Sequence, residues 1–437
     1  MPEEIAVADR STTVRAEIKL TEESFLSDDC VRQLMGVGEI DILIGLPTHN
    51  NAKTIASSVA AIQDGILRWF PRERAAILNV DGGSRDGTPD LILNAAIDDI
   101  RGRKFRNALR TLPSVSTKYG NSAERGTAFR TILAAADLLS AKACVVLSPE
   151  SNITPEWLPA LLSPIYRENF DLVLPSYIRQ KFDGLLVSNL LYPLARALYG
   201  LRIHEPYATD FSFSGRLGSQ FLTQNTWNSD IDRAAFEVRF STAAITGAYK
   251  ICQSSLGVKP HVERKSADLV PVLRQTIGEL FCVMDPTFAW WSGKNGSEPI
   301  PVSGVAPQVE LEPVRINRKR LGKMFQTGVA ELQSVFQAIL SPNTLAELQH
   351  IAQTNEDDPF YPSELWVKTV YEFAAAYHKS VINRDHIVQA LAPLFRGRVQ
   401  TFLLENKNSS SAEMENNVEN LCLEFERLKP YLLGMWK

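Results

Sequence analysis

Two short apolar runs, each breaking into a polar loop, constrain the fold of this chain more than any other feature. The first is Asp41-Ile-Leu-Ile-Gly-Leu-Pro-Thr-His-Asn50, and the second is Leu78-Asn-Val-Asp-Gly-Gly-Ser-Arg-Asp-Gly-Thr88. Between them, residues 52–66 carry apolar side chains at helical spacing. Strand, helix and strand in this order open a βαβ unit, and open α/β sheets bind ligands at the carboxyl ends of their strands. Both strand ends here carry polar and glycine residues of the kind that hold a nucleotide.

The alternation continues. Strands are expected over 40–46, 75–80, 143–147 and 171–175, with a further one near Leu109, and helices over 52–66, 88–97, 122–139 and 155–165. This pattern predicts an α/β fold with a mainly parallel sheet covered by helices on both faces. A polar lead-in occupies residues 1–38, with one short helix over 27–35. The α/β domain spans 39–290. Residues 291–316, rich in Gly, Pro and Ser, read as a linker. Residues 317–437 form a helical C-terminal subdomain, with helices over 320–340, 363–377, 384–404 and 418–433 and polar loops over 354–362 and 405–416. A long amphipathic tail predicts a homodimer that covers its apolar stripe.

Composition narrows the function. A net charge of -4 over 437 residues offers no electrostatic footprint for nucleic acid. The five cysteines, Cys30, Cys144, Cys252, Cys282 and Cys422, are far apart and lack metal-type pairing, so reduced thiols in a cytoplasmic protein are expected. The first ten residues contain acids and no apolar core of a signal peptide, and no apolar run reaches transmembrane length. Neither a GxxxxGK[ST] phosphate loop nor a GxGxxG fingerprint is present, which removes the motif support for a kinase or dehydrogenase.

Five segments could carry chemistry. Asp81 at a strand end can accept from a ribose or base N–H, with Gly82 and Gly83 allowing close backbone approach and Asp86 and Thr88 capping the next helix. The same residues also suit an ordinary strand-to-helix turn. Lys118, Gly120 and Arg130, in a basic glycine-containing loop and the helix after it, suit a pyrophosphate, and equally a solvated loop with local ion pairs. Glu150, after the strand over 143–147, is the acid placed to meet a divalent cation such as Mg²⁺ or Mn²⁺. His261 could join it, although a lone histidine is more often structural. Asp210 and Glu237, among apolar residues, are candidates for binding sugar or acceptor hydroxyls, or for pairing with nearby arginines.

With these residues in view, the chain resembles family-2-type glycosyltransferases with the GT-A fold. More narrowly, it is similar to the retaining enzymes that make glucosylglycerate, mannosylglycerate and glucosyl-3-phosphoglycerate. The likeness runs from about Gly38 to Met284, and more loosely through 301–304 and 362–378. The Pro47–Asn50 and Asp81–Thr88 motifs carry it, and 256–261 and 181–184 point to the narrower group. The resemblance implies that Pro47, Asn50 and Asp81 contact the base and ribose of a nucleotide sugar. It implies that Lys118 and Gly120 lie by the diphosphate, and that His261 matches a metal-binding histidine. Glu237 falls where the group carries an acid near the anomeric carbon or acceptor, and Asp210 in the sugar- or acceptor-binding loop. The family's Asp-x-Asp aligns onto Leu147-Ser148-Pro149, where neither acid is present. Bulkier Ala208-Thr209 replaces the usual Gly-Gly.

The expected function is transfer of a hexose from a nucleoside diphosphate sugar to a small hydroxy-acid acceptor of the glycerate or 3-phosphoglycerate class. The competing expectation is a non-catalytic relative that binds a nucleotide sugar or a protein partner. A nucleotidyltransferase would need a basic triphosphate loop that is not evident.

Overall fold

Ser27 caps α1 (Asp28–Val37), its hydroxyl accepting from the Cys30 N–H, with Asp28 and Asp29 in the first turn where the helix dipole favours acids. The computed structural model describes residues 26–92, 114–118, 125–224, 236–259, 269–305, 309, 311–354 and 359–436. Among the described residues the central sheet contains eight strands: β1 (Ile42–Thr48), β2 (Ala75–Asp81), β3 (Ser114–Lys118), β4 (Ala143–Val146), β5 (Leu172–Ile178), β7 (Phe211–Ser214), β8 (Ile251–Val258) and β10 (Val302–Ser303). A separate pair joins β6 (Leu201–Arg202) to β9 (Glu298–Pro299). The order in the large sheet is β10-β8-β5-β7-β4-β1-β2-β3. Only β7 runs antiparallel to its neighbours, so the sheet is mainly parallel, as the alternation of strands and helices implies.

β1 is apolar on both faces because helices cover both. Ile42, Ile44 and Leu46 pack into one core with Ile55, Val59 and Ile62 of α2 (Ile55–Trp69). Leu43 packs into the other with Phe129, Ile132 and Leu133 of α3 (Arg125–Leu138). Gly45 faces α3 so closely that a Cβ there would lie 2.7 Å from Ile132 Cδ1. On the opposite side, α4 (Trp157–Glu168) packs on α2, and a Cβ on Gly65 would meet the Pro155 carbonyl oxygen at 2.6 Å. Each close approach excludes a side chain.

Two prolines lie inside described strands of the large sheet. Pairing of β1 with β4 ends at Gly45, before Pro47, and pairing of β5 with β7 ends at Val173, before Pro175. The missing N–H groups therefore fall past the last rung on those sides, which is where a strand tolerates proline. This is why β5 continues to Ile178 instead of stopping at residue 175. β3 lies at 114–118. The strand expected near Leu109 falls outside the described residues, as does most of the helix expected over 88–97 beyond a turn at 88–92.

After β5 come α5 (Tyr192–Tyr199), α6 (Gly215–Thr223) and α7 (Phe236–Thr246). The tail contains α8 (Arg318–Glu331), α9 (Gln333–Ile339), α10 (Pro342–Thr354), α11 (Ser363–Lys379), α12 (Arg384–Glu405) and α13 (Ser411–Trp436). α13 begins earlier than its apolar spacing suggests because Ser410 and Glu413 form a reciprocal cap. The Ser410 N–H donates to Glu413 Oε2 at 2.7 Å, and the Glu413 N–H donates to Ser410 Oγ at 3.3 Å.

The tail shares the larger core of the sheet domain. Trp366 Nε1 donates to the Asn189 carbonyl at 2.9 Å. Arg196, fully buried in α5, reaches Glu419 and Glu426 of α13. Leu421, Phe425, Leu432 and Trp436 of α13 are buried within the same chain. The apolar stripe that motivated a homodimer is therefore already covered by the chain's own helices. None of the five cysteines is in a disulfide, and no described helix is long and apolar enough to cross a membrane.

Candidate functional site

β1 has β2 on one side and β4 on the other, so the chain changes direction across the sheet between β1 and β4. In a mainly parallel sheet the crevice outside the carboxyl ends at such a switch point is the expected ligand site. The loops after β1 and β2 are tied together there. The Asn50 N–H donates to Ser84 Oγ at 2.8 Å, the Asn51 N–H to Thr88 Oγ1 at 2.9 Å, and the Ala52 N–H to Asp86 Oδ2 at 2.9 Å. Asn50 takes a left-handed φ of 57°, and its side-chain oxygen accepts from the Arg85 N–H at 3.0 Å.

Asp81 anchors this region. It is fully buried and accepts from Gly83 N–H (3.0 Å), Ser84 N–H (2.8 Å), Ser84 Oγ (2.5 Å) and Thr48 Oγ1 (3.1 Å). Its oxygens are thus engaged by its own turn, and the ribose-facing role expected of Asp81 requires Ser84 to turn away. Gly82 adds the rung Gly82 N–H to Thr48 oxygen at 2.8 Å. Pro47 is half-buried at the end of β1, and Asn50 is exposed beyond it. Lys118 ends β3 in register with Asp81. Arg130 lies in α3, and Gly120 and His261 lie outside the described residues.

A second cluster occupies the carboxyl ends of β4, β5 and β8, where the antiparallel β7 begins. Asp210 is fully buried beside the start of β7. It accepts from the Ser148 N–H at 2.7 Å, Ser151 Oγ at 2.7 Å and the Tyr177 hydroxyl at 2.8 Å. Lys259 Nζ stands 4.0 Å from Asp210 Oδ2 and 4.3 Å from the centre of the Tyr177 ring. Arg179 is held by Glu205 at 2.6 Å and Asp183 at 3.1 Å. Burial, with the Asp210 charge beside it, pushes the Tyr177 phenol well above its ordinary value, so the hydroxyl stays protonated and donates. Asp210 is thus buried, with both carboxylate oxygens engaged by groups of the fold.

Glu150 is exposed in the 3₁₀ turn Pro149–Ser151 that follows β4. The carboxylate bonded to the end of β4 is Asp210, already satisfied by three donors. Among the described residues no group of three or more His, Cys, Asp or Glu side chains could hold a metal ion. A divalent cation needs several hard oxygen ligands, and the described residues at this strand end do not supply them. Glu237 is half-buried in the first turn of α7, a helix fixed to α3 by the stacked pair Phe129–Phe236 with centroids 3.6 Å apart.

Tyr177, Arg179, Ser151 and Lys259 escape the sequence reading. Tyr177 sits beyond the expected end of β5. Lys259 is visible only as one basic residue before Pro260, and the partners of Asp210 are spread across the chain. A separate cleft of about 820 Å³, lined by Asp137, Lys142, Asp171, Arg216 and Lys250, opens at the opposite, amino end of β4 and β5. It lies away from the strand-end loops, and its buried acid Asp171 is already paired with Arg216 at 2.6 Å.

No protein-family model and no curated protein matches the chain. Among solved structures it is similar to glucosyl-3-phosphoglycerate synthase from Mycobacterium tuberculosis. The complex of that protein with Mn²⁺, uridine diphosphate and phosphoglyceric acid matches at 21% identity over 58% of this chain and 81% of that chain, with a TM-score of 0.39. Its complex with Mn²⁺, UDP-glucose and phosphoglyceric acid matches at 19% identity over 68% of this chain and 94% of that chain, with a TM-score of 0.37. Likenesses this distant leave the function to be argued from the chain's own residues.

Proposed function

We propose that the chain is a glycosyltransferase that moves a hexose from a nucleoside diphosphate sugar to a small hydroxy acid of the glycerate or 3-phosphoglycerate class, with retention at the anomeric carbon. The observation that carries this reading is the tying of the two polar strand-end loops after β1 and β2 at the switch point of a mainly parallel sheet, with the turn after β4 bonded to α2 through Ser58 Oγ and the Pro149 carbonyl. Asn50 and the Asp81–Ser84 turn would face the base and ribose. Lys118 and the start of α3 would lie toward the diphosphate, and Glu237 toward the sugar and acceptor. The difficult step in such a transfer is departure of the nucleoside diphosphate, so catalysis depends on cationic or N–H groups aimed at the leaving phosphate.

A second reading, a protein that binds a nucleotide sugar without transferring it, is favoured by one observation. Both buried strand-end acids, Asp81 and Asp210, are committed to their own fold. Calorimetry with UDP-glucose, GDP-mannose and GDP-glucose, each in Mn²⁺ and then in EDTA, tests the donor half of the proposal. Product analysis with glycerate and 3-phosphoglycerate tests the other half. Binding with turnover is expected; binding without turnover selects the second reading, and no binding of any donor removes both.

A further inference from the structure

Among the described residues of the second cluster, Lys259 keeps an ammonium that is ion-paired with Asp210 but held to no acceptor at hydrogen-bond length, while its backbone N–H donates to the Ile178 carbonyl. Arg179 is committed to Glu205 and Asp183, Tyr177 donates to Asp210, and Asp210 is filled by three donors. The Lys259 ammonium lies 4.0 Å from Asp210 Oδ2, beyond hydrogen-bond length, and rests over the Tyr177 ring. Its side chain is 23% exposed. An ammonium carries three donors, and a largely buried one left without acceptors is costly. Such a group calls for an anionic or water oxygen at its open side.

Its position sharpens the assignment. Ser148, Asp210 and Lys259 form consecutive links from the end of β4 to the end of β8. Ser148 is the middle residue of Leu147-Ser148-Pro149, the segment that carries no acid where a metal-binding pair is expected. A cationic side chain is thus held at the same strand end by protein, beside the Asp210 carboxylate. Asp210 fixes its location, and the Tyr177 face fixes its approach.

We infer that Lys259, seated between Asp210 and the Tyr177 ring, supplies the counter-charge to the diphosphate of the nucleotide ligand in this chain, in place of a divalent cation. The inference rests on the nucleotide-sugar reading above and names how that site handles phosphate.

The test is calorimetric titration of UDP, GDP, uridine and guanosine into the full chain, first in EDTA and then in Mn²⁺. Wild type and the variants Lys259→Met and Lys259→Arg are compared after thermal melts establish that all three fold. The expected result is diphosphate binding of equal strength in EDTA and Mn²⁺. Lys259→Met should weaken the diphosphate by tenfold or more while leaving the affinity for the matching nucleoside unchanged, and Lys259→Arg should recover part of the loss. Binding that requires Mn²⁺, or a diphosphate affinity unmoved in Lys259→Met, overturns the inference and leaves the transferase reading standing. Failure of every nucleotide to bind overturns both together.

Discussion

Asp81 and Asp210 are both fully buried carboxylates at the rim of the same sheet, yet they are built in opposite ways. Asp81 is satisfied chiefly by its own turn: three of its four hydrogen bonds come from Gly83 and Ser84. Asp210 is satisfied chiefly by side chains and backbone from 33 to 62 residues away, with a long bond from the adjacent Thr209 hydroxyl at 3.5 Å and Lys259 at 4.0 Å. The first is a local turn motif that any strand-to-helix junction could adopt. The second exists only once β4, β5, β7 and β8 have come together. A buried charge satisfied from several strands reports tertiary structure, and removing it leaves donors at the ends of β4 and β5 unpaired.

That contrast predicts the largest effect at Asp210. Asp210→Ala strips acceptors from the Ser148 N–H, Ser151 and Tyr177 and leaves Lys259 without its counter-ion. It should destabilise the chain by about 3–5 kcal/mol, the usual cost of breaking a buried charge network. Urea unfolding of wild type and variant measures this. A loss under about 1 kcal/mol, the scale of an exposed ion pair, would show that the cluster is solvated and the contrast false.

Asp81→Ala should cost less, about 2 kcal/mol, because Gly83 and Ser84 are only half-buried and water can take up part of the lost bonding. The same unfolding experiment ranks the two variants. Equal losses would mean that the Asp81 turn is as deeply integrated as the Asp210 cluster. The donor-binding assay separates them further. Asp81→Ala also frees the Ser84 hydroxyl, so a weakened nucleoside affinity is expected only here.

The two regions also differ in how far the sequence reveals them. The Asp81 turn is legible because its partners are neighbours in the chain, and Asp-Gly-Gly-Ser writes its hydrogen bonds into four consecutive residues. The α/β class, the mainly parallel sheet and the main helices of the tail are legible for the same reason, since periodicity is local. The start of α13 is hidden behind the polar Ser410–Glu413 cap, and the end of β5 behind Pro175, whose missing N–H has no cost where pairing with β7 has ended. Tyr177 and Lys259 could not be matched to Asp210 at all. Nothing local links residue 210 with 177 or 259, and β7 reverses direction between them.

Tyr177→Phe sharpens the comparison by removing one arm of the Asp210 cluster while keeping its charge and the aromatic face under Lys259. Asp210 keeps Ser148 and Ser151, so the loss should be about 1 kcal/mol, the net worth of a single hydrogen bond. A double-mutant cycle with Ser151→Ala then tests cooperation within the cluster. Independent effects would add, whereas a shared network gives a coupling term. Strict additivity would reduce Asp210 to a set of separate contacts and undo its contrast with Asp81.

The smallest effect belongs to a third rim acid, Asp171, at the opposite edge of the sheet. Desolvation by burial opposes its ionisation, but Arg216, Ser214 and the Lys250 N–H outweigh that and hold its carboxyl below the ordinary value of 3.8. The sign follows from proton counting. Between the lowered folded value and 3.8 the unfolded chain binds more protons, so the stability from Asp171 is fully present above that window and is lost as pH falls through it. Arg216 is 71% exposed, which screens the pair and keeps its contribution under about 1 kcal/mol. Asp171→Asn should therefore flatten the acid limb of the stability curve and leave nucleotide binding unchanged. Chemical unfolding from neutral pH down through this window checks the slope. An acid limb identical to wild type would mean that Asp171 is no more sensitive to pH in the fold than in the unfolded chain, and an altered nucleotide affinity would place the amino edge of the sheet in the functional site after all.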